Sequence, residues 1–218
     1  MGKNTVKVIY WRGFMDKYTI TIARGYGSGG RVIGKLLAKE LGIPFYDRNL
    51  LRLASDDSGI NEQLFVDADE KVKNTLLYKV AKKVYKGELI PPDRDDFISN
   101  ENLFNYQAKI IKELAREGSC VIMGRCADYI LKDYDHVLRI YIHAPLEDCI
   151  QAVDKIAPVR NPKDYILMTD KRRGAYYRYF TGRNWRDADN YDLCLNSSHL
   201  GYEKCVEVIK AYLDIKFN

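Results

Sequence analysis

Histidine, long apolar runs and paired cysteine are all scarce in this 218-residue chain, and each scarcity removes a class of chemistry. Three histidines, His136, His143 and His199, stand far apart without metal-ligand spacing, so a histidine-built metal centre is not indicated. The five cysteines are an odd number and none forms a CxxC pair. Four of them (Cys120, Cys149, Cys194 and Cys205) lie in apolar segments, where a thiol behaves as a small hydrophobe. A reducing, cytoplasmic setting is therefore expected. Apolar stretches such as Cys120–Met123 fall far short of the roughly 20 residues that cross a bilayer. The opening Met1-Gly2-Lys3-Asn4 carries no apolar run ahead of a small-residue cleavage site, so no secretory signal is expected.

What is present is an ordinary globular composition, 46% hydrophobic and 30% charged, which excludes disorder and suits one α/β domain with a buried core. The net charge of +5 fits anionic small molecules as well as nucleic acid. Its distribution says more than its total. Lys171, Arg172, Arg173, Arg178, Arg183 and Arg186 fall in a stretch without a single acid. Such a run is either a solvated helix face or a surface built to meet anions.

Strand-like and helix-like patterns alternate, which points to parallel βαβ units. Residues 18–23 read as a β-branched strand. A helix over 32–41 follows, with apolar residues at 3.6 spacing and Gly42 as its stop. A short extended piece lies at 44–47. Residues 61–86 read as a long amphipathic helix, 87–100 as an exposed loop and 101–117 as another helix. Cys120–Met123 is apolar throughout and short enough for a buried central strand. Further strands are expected at 136–143 and 192–195, and helices at 146–156, 162–180 and 201–213. Residues 1–14 add little beyond an optional edge strand at 6–11.

Between the first strand and its helix stands Arg24-Gly25-Tyr26-Gly27-Ser28-Gly29-Gly30-Arg31. A plain turn rarely needs more than two glycines. Four of them, set before a helix N-terminus, let successive N–H groups converge on a phosphate. The strict motif G-x-x-x-x-G-K-[ST] also supplies a lysine to the phosphates and a hydroxyl to Mg²⁺. With Gly29 as the second motif glycine, Arg24 falls at the first, Gly30 at the lysine and Arg31 at the hydroxyl. Arg31 or Arg24 then supplies the missing charge, since a guanidinium fork pairs well with phosphate oxygens.

The run from Tyr26 to Arg31 and the run from Lys35 to Arg48 resemble the start of the cytidylate kinase-like family. So do 121–131 (VIMGRCADYIL), 143–147 (HAPLE) and 185–196 (WRDADNYDLCLN), in the right order over roughly residues 18–213. The resemblance implies a three-layer P-loop NTPase-type α/β fold with a parallel core sheet, a helical NMP-binding flap and a basic lid. In one kinase-like domain spanning 1–218, the core would be 18–47, 101–157 and 191–218, the flap about 48–100 and the lid about 158–190. It further implies ATP with Mg²⁺ as donor and a nucleoside monophosphate, CMP or dCMP, as acceptor. Arg24, Gly25, Tyr26, Gly27, Ser28, Gly29, Gly30 and Arg31 would form the phosphate loop. Asp47, Arg48, Gly124 and Arg125 would bind the acceptor, and Arg31, Arg172, Arg173 and Arg183 would serve the transfer. Met123 and Cys126 stand where cytidylate kinases carry two acids, which leaves Asp128 as the candidate for organising Mg²⁺. Its plainer role is a first-turn acid facing the helix dipole.

Three functions remain open at this level: a kinase, a nucleotide-binding protein without catalysis, and a basic nucleic-acid-binding domain. The last rests on Tyr176, Tyr177, Tyr179, Phe180 and Trp185 interleaved with the cations.

Overall fold

A computed structural model describes residues 17–47, 49–58, 62–64, 66, 89, 99–156 and 160–217. Five strands, β1 (Thr19–Arg24), β2 (Phe45–Tyr46), β3 (Cys120–Met123), β4 (Val137–His143) and β5 (Leu193–Asn196), form a parallel sheet. Its order is β2-β3-β1-β4-β5. The helices that position the site are α1 (Gly30–Leu41), α2 (Asn49–Ser58), α3 (Asn100–Glu117), α4 (Ala127–Ile130), α5 (Leu146–Ile156), α6 (Pro162–Thr181), α7 (Ser197–Leu200) and α8 (Tyr202–Phe217). Each element foreseen along these stretches is present, with ends displaced by a few residues. The helix foreseen at 61–86 and the loop at 87–100 lie almost wholly outside the described residues, and Arg48 lies outside them as well.

Side-chain alternation sets the layers. Ile20 and Ile22 of β1 face one way, while Thr19, Thr21 and Ala23 face the other, and all five are buried. A strand buried on both faces needs helices on both sides. Ile33 and Leu37 of α1 and Cys205, Val206, Ile209 and Leu213 of α8 cover the Ile20 face. Helices α2, α3, α4 and α6 cover the opposite face, which carries Ile122 and Tyr141. The result is a three-layer α/β fold.

Phe104 of α3 anchors the second layer. It is buried and stacks on Phe180 of α6 with ring centroids 4.0 Å apart and planes 4° from parallel. Phe104→Ala is expected to lower stability by about 3–5 kcal/mol, the usual loss for a buried aromatic. A falling urea midpoint at unchanged slope would show it.

Strand register aligns the carboxyl ends. Ile22 pairs with Met123, and Arg24 with Ile142. The segments that follow β1, β3 and β4 therefore share one rim, the edge at which open parallel sheets bind ligands.

Candidate phosphate site

The glycine loop is built by the strand end and the helix start. β1 stops at Arg24 and α1 begins at Gly30, with Gly29 as its N-cap. Gly27 and Gly29 have φ of 81° and 72°, in the left-handed region open to glycine. A Cβ on Gly29 would sit 2.2 Å from the Tyr202 ring, and one on Gly27 would sit 2.8 Å from Cys149. Ser28 Oγ donates to Gly25 O at 2.9 Å. Ser197 Oγ lies 2.6 Å from Ser28 O and 3.1 Å from His143 O, which ties the loop to the end of β4. Among the described residues, the N–H groups of Gly27, Gly29, Gly30 and Arg31 have no hydrogen-bond partner. A row of unspent amides at a helix N-terminus attracts an anion.

This frame offers a second motif register. The first residue past the strand is Gly25 and the first of the helix is Gly30. A second frame of the G-x-x-x-x-G spacing, from Gly25 to Gly30, stands beside the one from Arg24 to Gly29, the helix N-cap. In the second frame Arg31 stands where the motif has lysine, and Val32 where it has the hydroxyl. Four glycines in six residues permit both frames.

Around the loop the sheet edge gathers cations. Arg31 Nε lies 2.7 Å from Asp47 Oδ2, and Arg24 Nη2 lies 4.0 Å from Asp47 Oδ1. A cavity of about 300 Å³ opens beside them, with Arg24, Arg125, Arg172, Arg173, Tyr26, Asp47 and Trp185 in its wall. Burial pushes the Arg24 guanidinium down to about 9, helped by Arg173, Arg125 and Arg31 and opposed by Asp47. Two carboxylates, Asp47 and Asp128, thus face four guanidinium groups in this wall, and the cavity is short of negative charge.

Arg125 reaches this cavity from a tight turn after β3. Gly124, Arg125 and Cys126 are left-handed in succession, with φ of 69°, 60° and 54°. Each non-glycine residue there costs about 1–2 kcal/mol, and such strain gathers where a ligand is held. From α6, Arg173 Nη1 donates to Arg24 O at 3.1 Å, and its guanidinium sits over the Tyr26 ring at 5.3 Å. Arg172 Nε is buried with no hydrogen-bond partner among the described residues.

Arg183 is not part of this group. Helix α6 ends at Thr181 with Gly182 as its C-cap, and the eight helical steps from Arg173 to Thr181 alone carry the chain about 12 Å away. The Arg183 guanidinium lies over the Tyr129 ring at 5.3 Å and faces a separate cavity with Lys132, Arg139 and Asn190.

Asp128 is in the first turn of α4, but it is only 5% exposed and accepts from the Tyr177 hydroxyl at 2.6 Å. Burial pushes its carboxyl up to about 6 from 3.8, with the Tyr177 and backbone hydrogen bonds and Arg139 opposing. An acid raised in this way destabilises the fold as it ionises. The cost is absent below about pH 4, grows up to about pH 6 and is full above it, roughly 3 kcal/mol at most. Asp128→Asn keeps an acceptor for Tyr177. It is expected to stabilise the protein by about 1–3 kcal/mol at pH 7, with the gain vanishing near pH 4. Denaturant titrations at the two pH values check this.

The described carboxylates do not fit a protein-held Mg²⁺. Asp47 is engaged by Arg31 and Asp128 by Tyr177. Val32 offers no hydroxyl, and no group of three metal-ligating side chains occurs among the described residues.

One participant escaped the sequence reading. Asp170 of α6, 8% exposed, accepts the Tyr26 N–H at 2.8 Å. It also pairs with Arg173 at 3.5 Å and with Arg186 at 3.1 Å. Its sequence signal is a bare i,i+3 pairing with Arg173, which looks like any exposed helix pair.

The fold is of the P-loop kinase type. The chain is similar to a shikimate kinase from Bacteroides thetaiotaomicron, with a TM-score of 0.52 and 13% identity over 90% of this chain and 98% of that one. An uncharacterized protein from Eubacterium ventriosum is similar at a TM-score of 0.65 and 24% identity, covering 91% and 99% of the two chains. The model of the cytidylate kinase-like family matches residues 19–199, and the chain belongs to that family. A cytidylate kinase from Pyrococcus horikoshii is 23% identical over 202 residues, 91% of this chain and 90% of its own length. No helix among the described residues is long and apolar enough to cross a membrane.

Proposed function

We propose that the chain is an ATP-dependent phosphotransferase acting on a nucleoside monophosphate, with CMP or dCMP as the first acceptors to try. The observation that carries this reading is the charge pattern at the rim. Arg24, Arg31, Arg125, Arg172 and Arg173 converge beside a loop of unspent amides, against Asp47. Family membership and the cytidylate kinase relative point the same way.

In this reading the loop amides hold the donor β-phosphate, and Arg31 supplies the charge that lysine supplies in the strict motif. Arg125 grips the acceptor phosphate, and Asp47 steadies Arg31 while facing the acceptor sugar or base. An acceptor phosphate oxygen attacks the γ-phosphorus, the bond to the β-phosphate bridging oxygen breaks, and ADP leaves. Such transfer needs positioning and charge neutralisation more than a covalent nucleophile. Arg172 and Arg173, on a basic lid formed by α6 and the residues after it, neutralise the transferring group and keep water out. Mg²⁺ is expected to arrive with the triphosphate, held by phosphate oxygens and water.

The nucleic-acid alternative loses its platform. Tyr176, Tyr177, Phe180 and Trp185 are buried, so their rings are not open to stacking bases. A nucleotide-binding protein without catalysis stays in play, favoured by Gly30, Met123 and Cys126 at positions where kinases carry functional groups.

The test is ADP release from Mg-ATP against a panel of nucleoside monophosphates. Acceptor-dependent turnover is expected. ATP binding without turnover for any acceptor would transfer the conclusion to the non-catalytic alternative.

A further inference from the structure

The glycine loop is a ridge between two cavities. On one side lies the arginine-rich cavity of about 300 Å³, whose wall includes Tyr26 and Arg173. On the other lies a cavity of about 530 Å³, whose wall includes Gly25, Tyr141, Cys149, Asp170 and Arg186. Consecutive loop residues thus face opposite sides, and so do the two arginines. One side chain ties these groups together. Asp170 Oδ1 accepts the Tyr26 N–H and lies 3.5 Å from Arg173 Nη1, while Oδ2 lies 3.1 Å from Arg186 Nη2. Oδ2 also comes within 3.6 Å of where a Cβ on Gly25 would be.

A carboxylate beside a phosphate loop does one of two things: it fills the place of the anion, or it fixes the cations that will bind the anion. The geometry favours the second. Asp170 engages Tyr26, at the strand end of the loop, and leaves the amides of Gly27, Gly29, Gly30 and Arg31 unspent. Its two oxygens are divided between two arginines, one for each cavity. A plug would sit over the amides and use both oxygens there.

We infer that Asp170 is a positioning residue of the transfer reaction, aiming Arg173 into one cavity and Arg186 into the other at the ridge that separates them. The word transfer rests on the phosphotransferase reading, but the arrangement of the arginines does not. Burial also raises the Asp170 carboxyl, against the Tyr26 N–H, Arg173 and Arg186, with the Tyr141 phenol and Cys149 thiol near the same carboxyl. The Arg173–Asp170 pair, with side chains 26% and 8% exposed, is sensitive to the loss of either partner.

The experiment measures binding of inorganic pyrophosphate by calorimetry, for the wild-type chain, Asp170→Asn, Arg173→Ala and the double variant. Melting temperatures are recorded alongside, and Asp170→Glu serves as the conservative control. Asp170→Asn is close to isosteric, so its fold is expected to hold. Its affinity should fall roughly tenfold, with partial recovery in Asp170→Glu. The double variant should bind no more weakly than the weaker single variant, because both substitutions remove one device. Equal or tighter binding by Asp170→Asn would make the carboxylate a mere competitor of the anion and overturn the inference. Additive losses in the double variant would overturn it as well. In the transfer assay, an Asp170→Asn variant with kcat unchanged sinks the positioning role and spares the kinase reading. The expected pyrophosphate pattern in a wild-type chain that turns over no acceptor does the reverse.

Discussion

Arg31→Ala is expected to lower acceptor-dependent turnover about 10²–10³-fold, the usual effect of removing one preorganised group aimed at developing charge. The same change should move stability by no more than about 0.5 kcal/mol. Two observations separate the effects. The Arg31 side chain is 56% exposed, so its loss opens no cavity, and its ion pair with Asp47 is too wet to stabilise much. Catalysis differs, because Arg31 sits in the first turn of α1, beside the unspent amides. Arg31→Lys, which keeps a cation at this position, should retain more activity than the Ala variant. Steady-state ADP release and thermal melting give both readouts. An Ala variant within threefold of wild type would shift the role to Arg24.

Gly29→Ala is expected to cost stability and phosphate binding together. The φ of 72° strains any residue with a Cβ, and here the Cβ would fall 2.2 Å from the Tyr202 ring. Strain and overlap together should cost about 2–4 kcal/mol. The loop or α8 has to shift, and either shift misplaces the amides. Urea denaturation and pyrophosphate calorimetry are the measurements. Adding Tyr202→Ala removes the overlap but not the φ strain, so it should restore the fold better than it restores binding. Full recovery of binding in the double variant would show that the left-handed geometry of Gly29 is dispensable.

Much of the fold was legible because periodicity is a local property. The alternation in β1, the apolar run of β3 and the 3.6 spacing in α1 each follow from neighbours in sequence. The candidate site was legible where the chain advertises it. Four glycines ahead of a helix announce an anion, and Gly124-Arg125 after a buried strand announces a cation at the sheet edge. The motif frame stays open because four glycines in six residues admit two spacings, and β1 runs one residue further than foreseen: Arg24 still pairs with Ile142. Arg183 was grouped with Arg172 and Arg173 because a run of cations carries no sign of where its helix ends. Asp170 escaped because its partner, the Tyr26 amide, is 144 residues away in sequence. Backbone groups leave no mark on composition, so an acid aimed at one looks like an acid aimed at water.

Trp185 closes one wall of the arginine cavity, 6% exposed and edge-on to Tyr141 at 5.6 Å. An indole held there is a built-in optical gauge. Its emission depends on the polarity and charge of the few ångströms around it, which are the ones an incoming phosphate changes. The chain holds one other tryptophan, Trp11, so a Trp11→Phe background leaves a single emitter at the cavity. Occupancy by nucleotides, pyrophosphate or unreactive analogues then becomes visible as light, with no label, no coupling enzyme and no need for turnover.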